Sequence, residues 1–378
     1  MLTALLVFVL AQAAGAANAR DLPFSDPAWK HGDPRARVDT LDGRQALRLT
    51  TGMSTRPDVE FTNGTIEFDI WSTGERAFAY LHFRMQDDRE SESIYFRLHK
   101  SRLPDAIQYE PVYQGLANWQ LYHGPDATAE AAIPAGQWIH VRLVVSGEKA
   151  ALFLGASTTP ALIVPKLARG TRGGYVGLRS YLGANIKGDV EPPSSFANLV
   201  IKPDVIGFDF SSVAERPVAA SPGLVRSYRL GPVFSPGDGP VRALPAAPRS
   251  KDLEKVVTAD PSGLVVIGRA LIVPPGMRRY ATSASFTVRA ARAGVKRLKL
   301  GFSDEASVFL NGQILYSGGQ RYSFNFPRQE GLIHLEQASV YLPLVEGENE
   351  IRIVISEVFG GWGVMAQFDD PTGLTFEP

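Results

Sequence analysis

Short runs in which apolar and polar residues alternate recur along this chain of 378 residues, and Gly, Pro, Asn or Asp bound them. Alternation with a period of two is typical of a β-strand with one buried face, whereas a helix needs a period near 3.6. Helical periodicity is almost absent beyond the first residues. The clearest early runs are Thr65 to Trp71, Tyr80 to Met85, Ser93 to His99 and His140 to Val145. The sequence therefore predicts an all-β fold of antiparallel sheets.

A proline-rich stretch divides these runs into two groups. Eight prolines lie between Lys202 and Asp260, and proline is confined to edges and loops of sheets. Alternating runs resume at Ala284 to Arg289, Val295 to Phe302, Ala306 to Leu310, Ser339 to Leu344 and Glu350 to Ser356. We expect two β-sandwich (jelly-roll) domains in tandem, 20–203 and 204–378, the second with a proline-rich entry segment. Asn311-Gly312 predicts a tight hairpin, because both central positions of a type I′ turn need positive φ.

The first 19 residues have the layout of a secretory signal. They hold no charged side chain, Leu2 to Leu10 is apolar, and Ala17-Asn18-Ala19 fits the small-residue cleavage pattern. We interpret 1–19 as a signal peptide of a bacterial protein that is secreted or periplasmic. The apolar segment is too short to span a bilayer, so no membrane span is expected. The absence of cysteine means that disulfides play no part in the fold.

Charge excludes one class of partner. The chain has 39 basic and 39 acidic side chains, and binding to a phosphate backbone requires a basic surplus. The one basic cluster, Arg289 to Lys299, has no interleaved aromatic residues and is interpreted as a charged sheet face. We expect no nucleic-acid partner.

The first half carries a series of motifs in a fixed order. They are Asn63 to Asp69, Phe83-Arg84, Gln86 to Asp88, Tyr95 to Arg97, Ala106 to Tyr109, Gly136 to Val145 and Phe196 to Leu199. This series resembles the concanavalin A-like lectin/glucanase fold in its laminin-G-like branch, which includes bacterial domains related to keto-disaccharide hydrolases. The resemblance implies a jelly roll whose concave sheet binds glycans.

The second half has a different set of motifs: Gly301 to Gly312, Leu342 to Leu344, Gly347 to Ile351 and Phe359 to Val364. These resemble the galactose-binding-like jelly roll that is appended to many bacterial glycoside hydrolases. The motif residues mainly form turns, so this resemblance bears on the fold more than on a ligand. For Trp362, between glycines, the core is favoured over an exposed stacking platform.

The stretch from Tyr95 to His123, together with Arg84, is rich in groups that suit a sugar. Sugars present apolar C–H faces and rings of hydroxyls, so their sites combine aromatic platforms with polar groups. Alternation allows several of these residues to share one sheet face. The predicted ligand-binding residues are Arg84, Tyr95, Arg97, Gln108, Trp119 and Tyr122. The alternative is that Trp119 and Tyr122 fill the core while the arginines lie on the surface.

Catalytic and metal sites have less support. Glu67 and Asp69 share a strand face, as glycoside hydrolysis would need. Laminarinase-like enzymes of the resembled fold carry a third acid further along, where this chain has Ser72 and Thr73, so Glu67 and Asp69 are interpreted as solvated or salt-bridged. The catalytic residues remain unknown.

No cofactor is expected. The histidines that could converge on a metal, His82, His99 and His123, have no metal-ligand spacing. A structural calcium ion at Asp87 to Glu92 is a weaker alternative, because no glycine supplies the sharp turn of a calcium loop.

Three functions remain open. The favoured hypothesis is an exported carbohydrate-binding protein, accessory to polysaccharide or glycoside breakdown. The rivals are a glycoside hydrolase or lyase with its site on the concave face of the first domain, and a structural or adhesive envelope protein. The missing third acid favours binding over hydrolysis.

Overall fold

Antiparallel strands form nearly all regular structure in the computed structural model, which describes residues 19–182, 191–216, 221–244, 254–323 and 330–378. The strands before 204 are β1 (Arg20–Asp21), β2 (Lys30–His31), β3 (Arg37–Leu41), β4 (Arg44–Leu49), β5 (Gly52–Phe61), β6 (Gly64–Ser72), β7 (Phe78–Asp87), β8 (Glu90–Arg97), β9 (Ile107–Tyr113), β10 (Leu116–Ala117), β11 (Thr128–Ala129), β12 (Trp138–Ser146), β13 (Lys149–Leu154), β14 (Leu162–Val164), β15 (Gly174–Tyr181) and β16 (Ser194–Pro203).

The later elements are β17 (Ser227–Leu230), β18 (Lys255–Thr258), β19 (Val265–Val266), α1 (Ile267–Ala270), β20 (Tyr280–Ala290), β21 (Gly294–Ser303), β22 (Glu305–Leu310), β23 (Gln313–Gly319), β24 (Ala338–Leu344), β25 (Gly347–Glu357), β26 (Gly363–Phe368) and β27 (Leu374–Glu377). Each run predicted from alternation overlaps one of these strands, although Ser93 to His99 extends two residues past the end of β8. The predicted all-β class is confirmed.

Two sheets face each other in the first half. Sheet I has the order β14-β13-β12-β6-β16-β4-β3, with β1 on β16, and sheet II has the order β10-β9-β8-β7-β15-β5-β2, with β11 on β9. Their inner faces enclose a core that includes Phe68, Phe83, Phe96 and Phe196. Because side chains alternate along a strand, the residues between the core positions of sheet II form its outer face.

The second half repeats the sandwich arrangement with different sheets. Sheet III has the order β18-β17-β20-β25-β22-β23, with β27 on β20, and sheet IV has the order β19-β26-β21-β24. Trp362 is fully buried between them, as expected, and its indole nitrogen donates a hydrogen bond to the carbonyl of Ile355. The Asn311-Gly312 hairpin is confirmed, since both residues have positive φ between β22 and β23.

The segment from Tyr113 to His123 joins the two halves. The side-chain amide of Gln114 donates to the carbonyls of Gly268 and Leu271, and a ring nitrogen of His123 lies 2.8 Å from the carbonyl oxygen of Ile333. Tyr113 and Leu121 also pack in a small apolar cluster with residues of the second half. No described strand of one half pairs with a strand of the other. The domain boundary near 203 stays a prediction.

The sequence predicts a signal peptide at 1–19 and no membrane span. Residues 1–18 of the predicted signal peptide lie outside the described residues. Within the described ranges, no helix has the length and apolar character needed to cross a membrane.

Candidate functional site

Side chains on the outer face of sheet II line up in three rows, because β15, β7, β8 and β9 pair in register. The first row is Gly177, His82, Ser93 and Glu110; the second is Arg179, Tyr80, Tyr95 and Gln108; the third is Tyr181, Phe78 and Arg97. The residues between them, such as Leu81 and Ile94, point into the core. We call these eleven positions the three-row face.

Aromatic rings form the centre of the three-row face. Tyr80 stacks on Tyr95 with 5.0 Å between ring centroids and on His82 with 5.7 Å. Phe78 lies 6.2 Å from both Tyr95 and Tyr181. Phe78, Tyr80 and Tyr181 are partly exposed, so the exposed parts of their rings form an apolar platform.

Hydrogen bonds hold the polar side chains beside this platform. Gln108 Oε1 accepts bonds from the hydroxyl of Tyr95 at 2.7 Å and from the guanidinium of Arg97 at 2.5 Å. The Gln108 amide donates in turn to the carbonyls of Trp119 and Tyr122. Such mutual bonding fixes each rotamer, so this part of the face is preorganised.

The first row holds polar atoms that are buried yet unpartnered. In the described part of the chain, His82 Nε2, Ser93 Oγ and Glu110 Oε2 have no hydrogen-bond partner. A buried polar group without a partner costs free energy, so each of these atoms would gain from a hydrogen bond. Three of them in consecutive strands mark the first row as the most ligand-like part of the face.

Burial sets the protonation states in this row. It raises the pKa of Glu110 to about 7, against the opposing influence of Arg179 and Arg97. Burial also lowers the pKa of His82 to about 3, and the charge of Arg179 adds to that effect. Glu110 is the one acidic side chain in the three rows, and His82 is neutral at physiological pH.

Three of the predicted ligand residues, Tyr95, Arg97 and Gln108, come together on this face. Arg84 does not join them. A β-bulge interrupts β7 beyond Phe83, and Arg84 has a φ of 51°. Its guanidinium is buried and donates to the carbonyls of Thr62, Gly147 and Gly170. Arg84 therefore connects loops at the end of the sandwich through hydrogen bonds. This corrects the expectation that it shares a sheet face with Tyr95, Arg97 and Gln108.

Trp119 and Tyr122 contribute only backbone carbonyls to the face. The Trp119 ring is partly exposed and contacts the rings of Tyr322, at 5.6 Å, and Phe359, at 6.1 Å. We call these three residues the junction aromatic cluster. Tyr122 packs edge-on against the core residue Tyr109. A ligand role for Trp119 and Tyr122 stays a prediction.

Glu67 and Asp69 lie on the other sheet, away from the three-row face. Glu67 forms an ion pair with Lys202 at 2.9 Å. Asp69 is paired with Arg44 and also accepts a hydrogen bond from Asn198 at 2.6 Å. Both carboxylates are therefore salt-bridged, as the sequence predicted.

The residues considered for metal binding are dispersed. Among the described residues, no group of three or more His, Cys, Asp or Glu side chains could hold a metal ion. Around the proposed calcium loop, Glu90 pairs with Arg169, and Glu92 accepts a hydrogen bond from Tyr109.

Sequence reasoning missed several residues of the face: Tyr80, Glu110, Arg179 and Tyr181. Arg179 and Tyr181 alternate with the core residues Val176 and Leu178 in β15, so their outward direction was readable. That β15 lies beside β7 could not be predicted from sequence, since 90 or more residues separate their paired positions, such as Gly177 and His82.

Comparison with known proteins gives structural neighbours only. No protein-family model and no curated protein matches the chain. Solved structures similar to it include a carbohydrate-binding module from Bacillus subtilis (16% identity, 46% of this chain and 95% of that chain, TM-score 0.34). They also include the Bacillus licheniformis β-glucanase (12% identity, 49% and 97%, TM-score 0.36) and a family 35 carbohydrate-binding module from an environmental isolate (20% identity, 25% and 69%, TM-score 0.19).

Proposed function

We propose that this protein binds carbohydrate on the three-row face of sheet II. The observation that carries the proposal is the juxtaposition of a partly exposed aromatic platform with a row of unpartnered polar atoms. The platform is Phe78, Tyr80 and Tyr181, and the polar atoms belong to His82, Ser93 and Glu110.

Both components match the chemistry of a sugar. The C–H face of a pyranose packs on aromatic rings, whereas its hydroxyls donate and accept hydrogen bonds. A neutral imidazole nitrogen, a hydroxyl and a protonated carboxyl together offer both donors and acceptors. These atoms are buried in the free protein, so a sugar hydroxyl that pairs with them must displace the side chains around them, and each pair would recover about 1–3 kcal/mol.

The same geometry favours binding over hydrolysis. Glycoside hydrolysis by the usual route uses two carboxyl groups with divided roles. Glu110 is the one carboxyl in the three rows, and its pKa of about 7 suits a general acid, but no second carboxyl stands beside it there. The accessory role in polysaccharide breakdown, and export from a bacterial cell, are parts of the same proposal.

The experiment pairs retention with product analysis. The full chain is run through affinity gels that contain a panel of neutral and acidic polysaccharides, and reducing ends released from the same polymers are measured. Retention without release supports a binding protein, and release supports a glycoside hydrolase. The absence of both would overturn the proposal and favour a structural or adhesive protein.

A matched pair of variants locates the site. Tyr181→Ala removes a partly exposed ring of the three-row face, and we expect it to reduce retention. Tyr341→Ala removes a residue that is 66% exposed on sheet IV. We expect this variant to be retained on the gels as strongly as the wild type. Equal retention by all three proteins, at unchanged melting temperature, would remove the face from consideration.

A further inference from the structure

Arg179 occupies a distinctive position on the three-row face. It lies on β15 directly across from Tyr80, and its guanidinium carbon is 5.3 Å from the ring centroid of Tyr80 and 5.7 Å from that of Tyr181. These cation–π contacts hold the guanidinium against the aromatic platform. The side chain is partly exposed, so its outer N–H groups are open to a ligand.

The charge of Arg179 is not balanced by a direct partner. Within the residues that the structure describes, its guanidinium forms no ion pair and donates no hydrogen bond. Its neighbour Arg97 differs, because that guanidinium bonds Gln108 and the carbonyl of Asp105 and lies 3.5 Å from the Asp105 carboxylate. Arg179 is therefore the cation of this face whose N–H groups are available to a ligand.

When Glu110 is protonated, no side chain of the three-row face carries a negative charge that would repel an anion. His82 is neutral, and Tyr80 and Tyr95 remain protonated because burial raises the pKa of each hydroxyl. The face then presents positive charge beside an apolar platform. This combination recognises a molecule that has an apolar ring face and a negative group on that ring.

We propose that Arg179 binds the carboxylate of an acidic sugar residue, a hexuronic acid, while the sugar ring packs on Tyr80 and Tyr181. The inference rests on the proposed function and names its substrate class. A guanidinium presents two parallel N–H groups that match the two oxygens of a carboxylate, which a neutral sugar does not provide. A sulfate ester would offer the same charge with a different arrangement of oxygens, so the test includes it.

The test measures retention of the full chain on polygalacturonate, alginate and hyaluronan, on the carboxyl-reduced form of each, and on dextran sulfate. We expect the wild type to bind at least one carboxylate polymer, and to bind its reduced form about tenfold or more weakly. Arg179→Gln should lose that difference while keeping the weaker affinity for the reduced polymer. Arg179→Lys should retain part of the preference, because lysine keeps the positive charge but lacks the two parallel N–H groups of a guanidinium.

Arg142→Gln is the matched control. Arg142 lies on β12 of sheet I, where its guanidinium carbon is 3.8 Å from the ring centroid of Phe153, so it resembles Arg179 in packing on an aromatic ring. We expect it to bind like the wild type. Melting temperatures of all variants establish that they are folded.

The outcomes separate the two proposals. Equal retention on acidic and reduced polymers, or an unchanged preference in Arg179→Gln, would overturn the acidic-sugar inference and leave carbohydrate binding in place. Retention on dextran sulfate alone would overturn the carboxylate assignment. Retention on none of the polymers, neutral ones included, would overturn both.

Discussion

Ser303 donates a hydrogen bond to the side-chain oxygen of Gln120 at 2.8 Å, although 183 residues separate them. Gln120 is fully buried, and its amide nitrogen donates to the carbonyl of Glu330 at 3.1 Å. A Cβ atom at Gly331 or Gly360 would lie 2.2 Å from this amide group. Glycine at both positions therefore leaves the space in which the first half of the chain docks on the second.

Gln120→Ala should destabilise the contact between the two halves. It leaves the buried Ser303 Oγ unpaired, at about 1–3 kcal/mol, and removes the hydrogen bond to the partly buried Glu330 carbonyl. Thermal unfolding should show a lower melting temperature. A double-mutant cycle with Ser303→Ala should give a coupling energy clearly different from zero. Independent effects of the two substitutions would show that the hydrogen bond contributes nothing.

Acidic pH should stabilise the protein through Asp304, which lies beside this contact. Burial raises the pKa of Asp304 to about 6, and burial together with the charge of Asp304 raises the pKa of Glu357. The folded pKa of Asp304 lies above the unfolded value near 4, so its contribution is present at low pH and is lost as pH rises through about 6. The melting temperature of the wild type should therefore fall as pH rises from about 4 to about 6.

Asp304→Asn tests that assignment. The asparagine oxygen can still accept the backbone N–H groups of Val358 and Phe359, and it carries no proton that titrates. The fall in melting temperature over this pH range should be smaller in the variant. Asp238→Asn, in an exposed loop, is the control and should keep the wild-type slope. An equal slope in Asp304→Asn would assign the pH dependence to another group.

The strands were predictable from sequence because a side-chain period of two is a local property. That Tyr95, Arg97 and Gln108 lie on one sheet face was predictable too, because β8 and β9 are neighbours both in sequence and in the sheet. Arg179 was not, because its position beside Tyr80 depends on pairing between β7 and β15, which are distant in sequence. Local alternation cannot report such a contact.

Two further features of the structure could not be predicted from the sequence. The bulge after Phe83 changes the direction of Arg84 and sends its guanidinium to loop carbonyls. Trp119 sits where the two halves meet, so its ring neighbours, Tyr322 and Phe359, come from the distant half. A surface between two sandwiches depends on how they dock, which alternation within either one does not encode.

Trp119→Ala should weaken binding of long polymers more than binding of short oligosaccharides. Arg76 lies 5.9 Å from the ring of Phe78 and donates a hydrogen bond to the hydroxyl of Tyr322, so it links the three-row face to the junction aromatic cluster. A polymer that leaves the face along this link would reach Trp119. Affinity electrophoresis with a polymer and titration with its tetrasaccharide measure the two effects.

Phe359→Ala is the companion variant, since Phe359 is 49% exposed in the same cluster. It should show the same dependence on ligand length. If Trp119→Ala instead lowers stability by roughly 3–5 kcal/mol, as a buried tryptophan would, the ring is part of the structural contact. An unchanged affinity for polymers in both folded variants would remove the cluster from the binding surface.

Glu110→Gln should abolish the pH dependence of binding to an acidic polymer. Between pH 5.5 and 8.5, the sugar carboxylate stays charged, because its pKa lies well below that range. Over the same range His82 stays neutral, because its pKa is about 3, and the raised pKa values of Tyr80 and Tyr95 keep their hydroxyls protonated. Glu110, whose pKa burial raises to about 7, is then the group of this face that titrates.

The direction in which retention changes with pH follows from the charge that Glu110 acquires. Below pH 7 the protonated carboxyl leaves Arg179 free for the sugar, whereas above pH 7 the carboxylate offsets Arg179 and repels the ligand. Retention by the wild type should therefore weaken as pH rises, by roughly tenfold if binding raises the pKa of Glu110 by one unit. Glu110→Gln should bind equally across the range, and Glu67→Gln, on sheet I, should keep the wild-type profile. A wild-type profile in folded Glu110→Gln would show that another group controls the affinity.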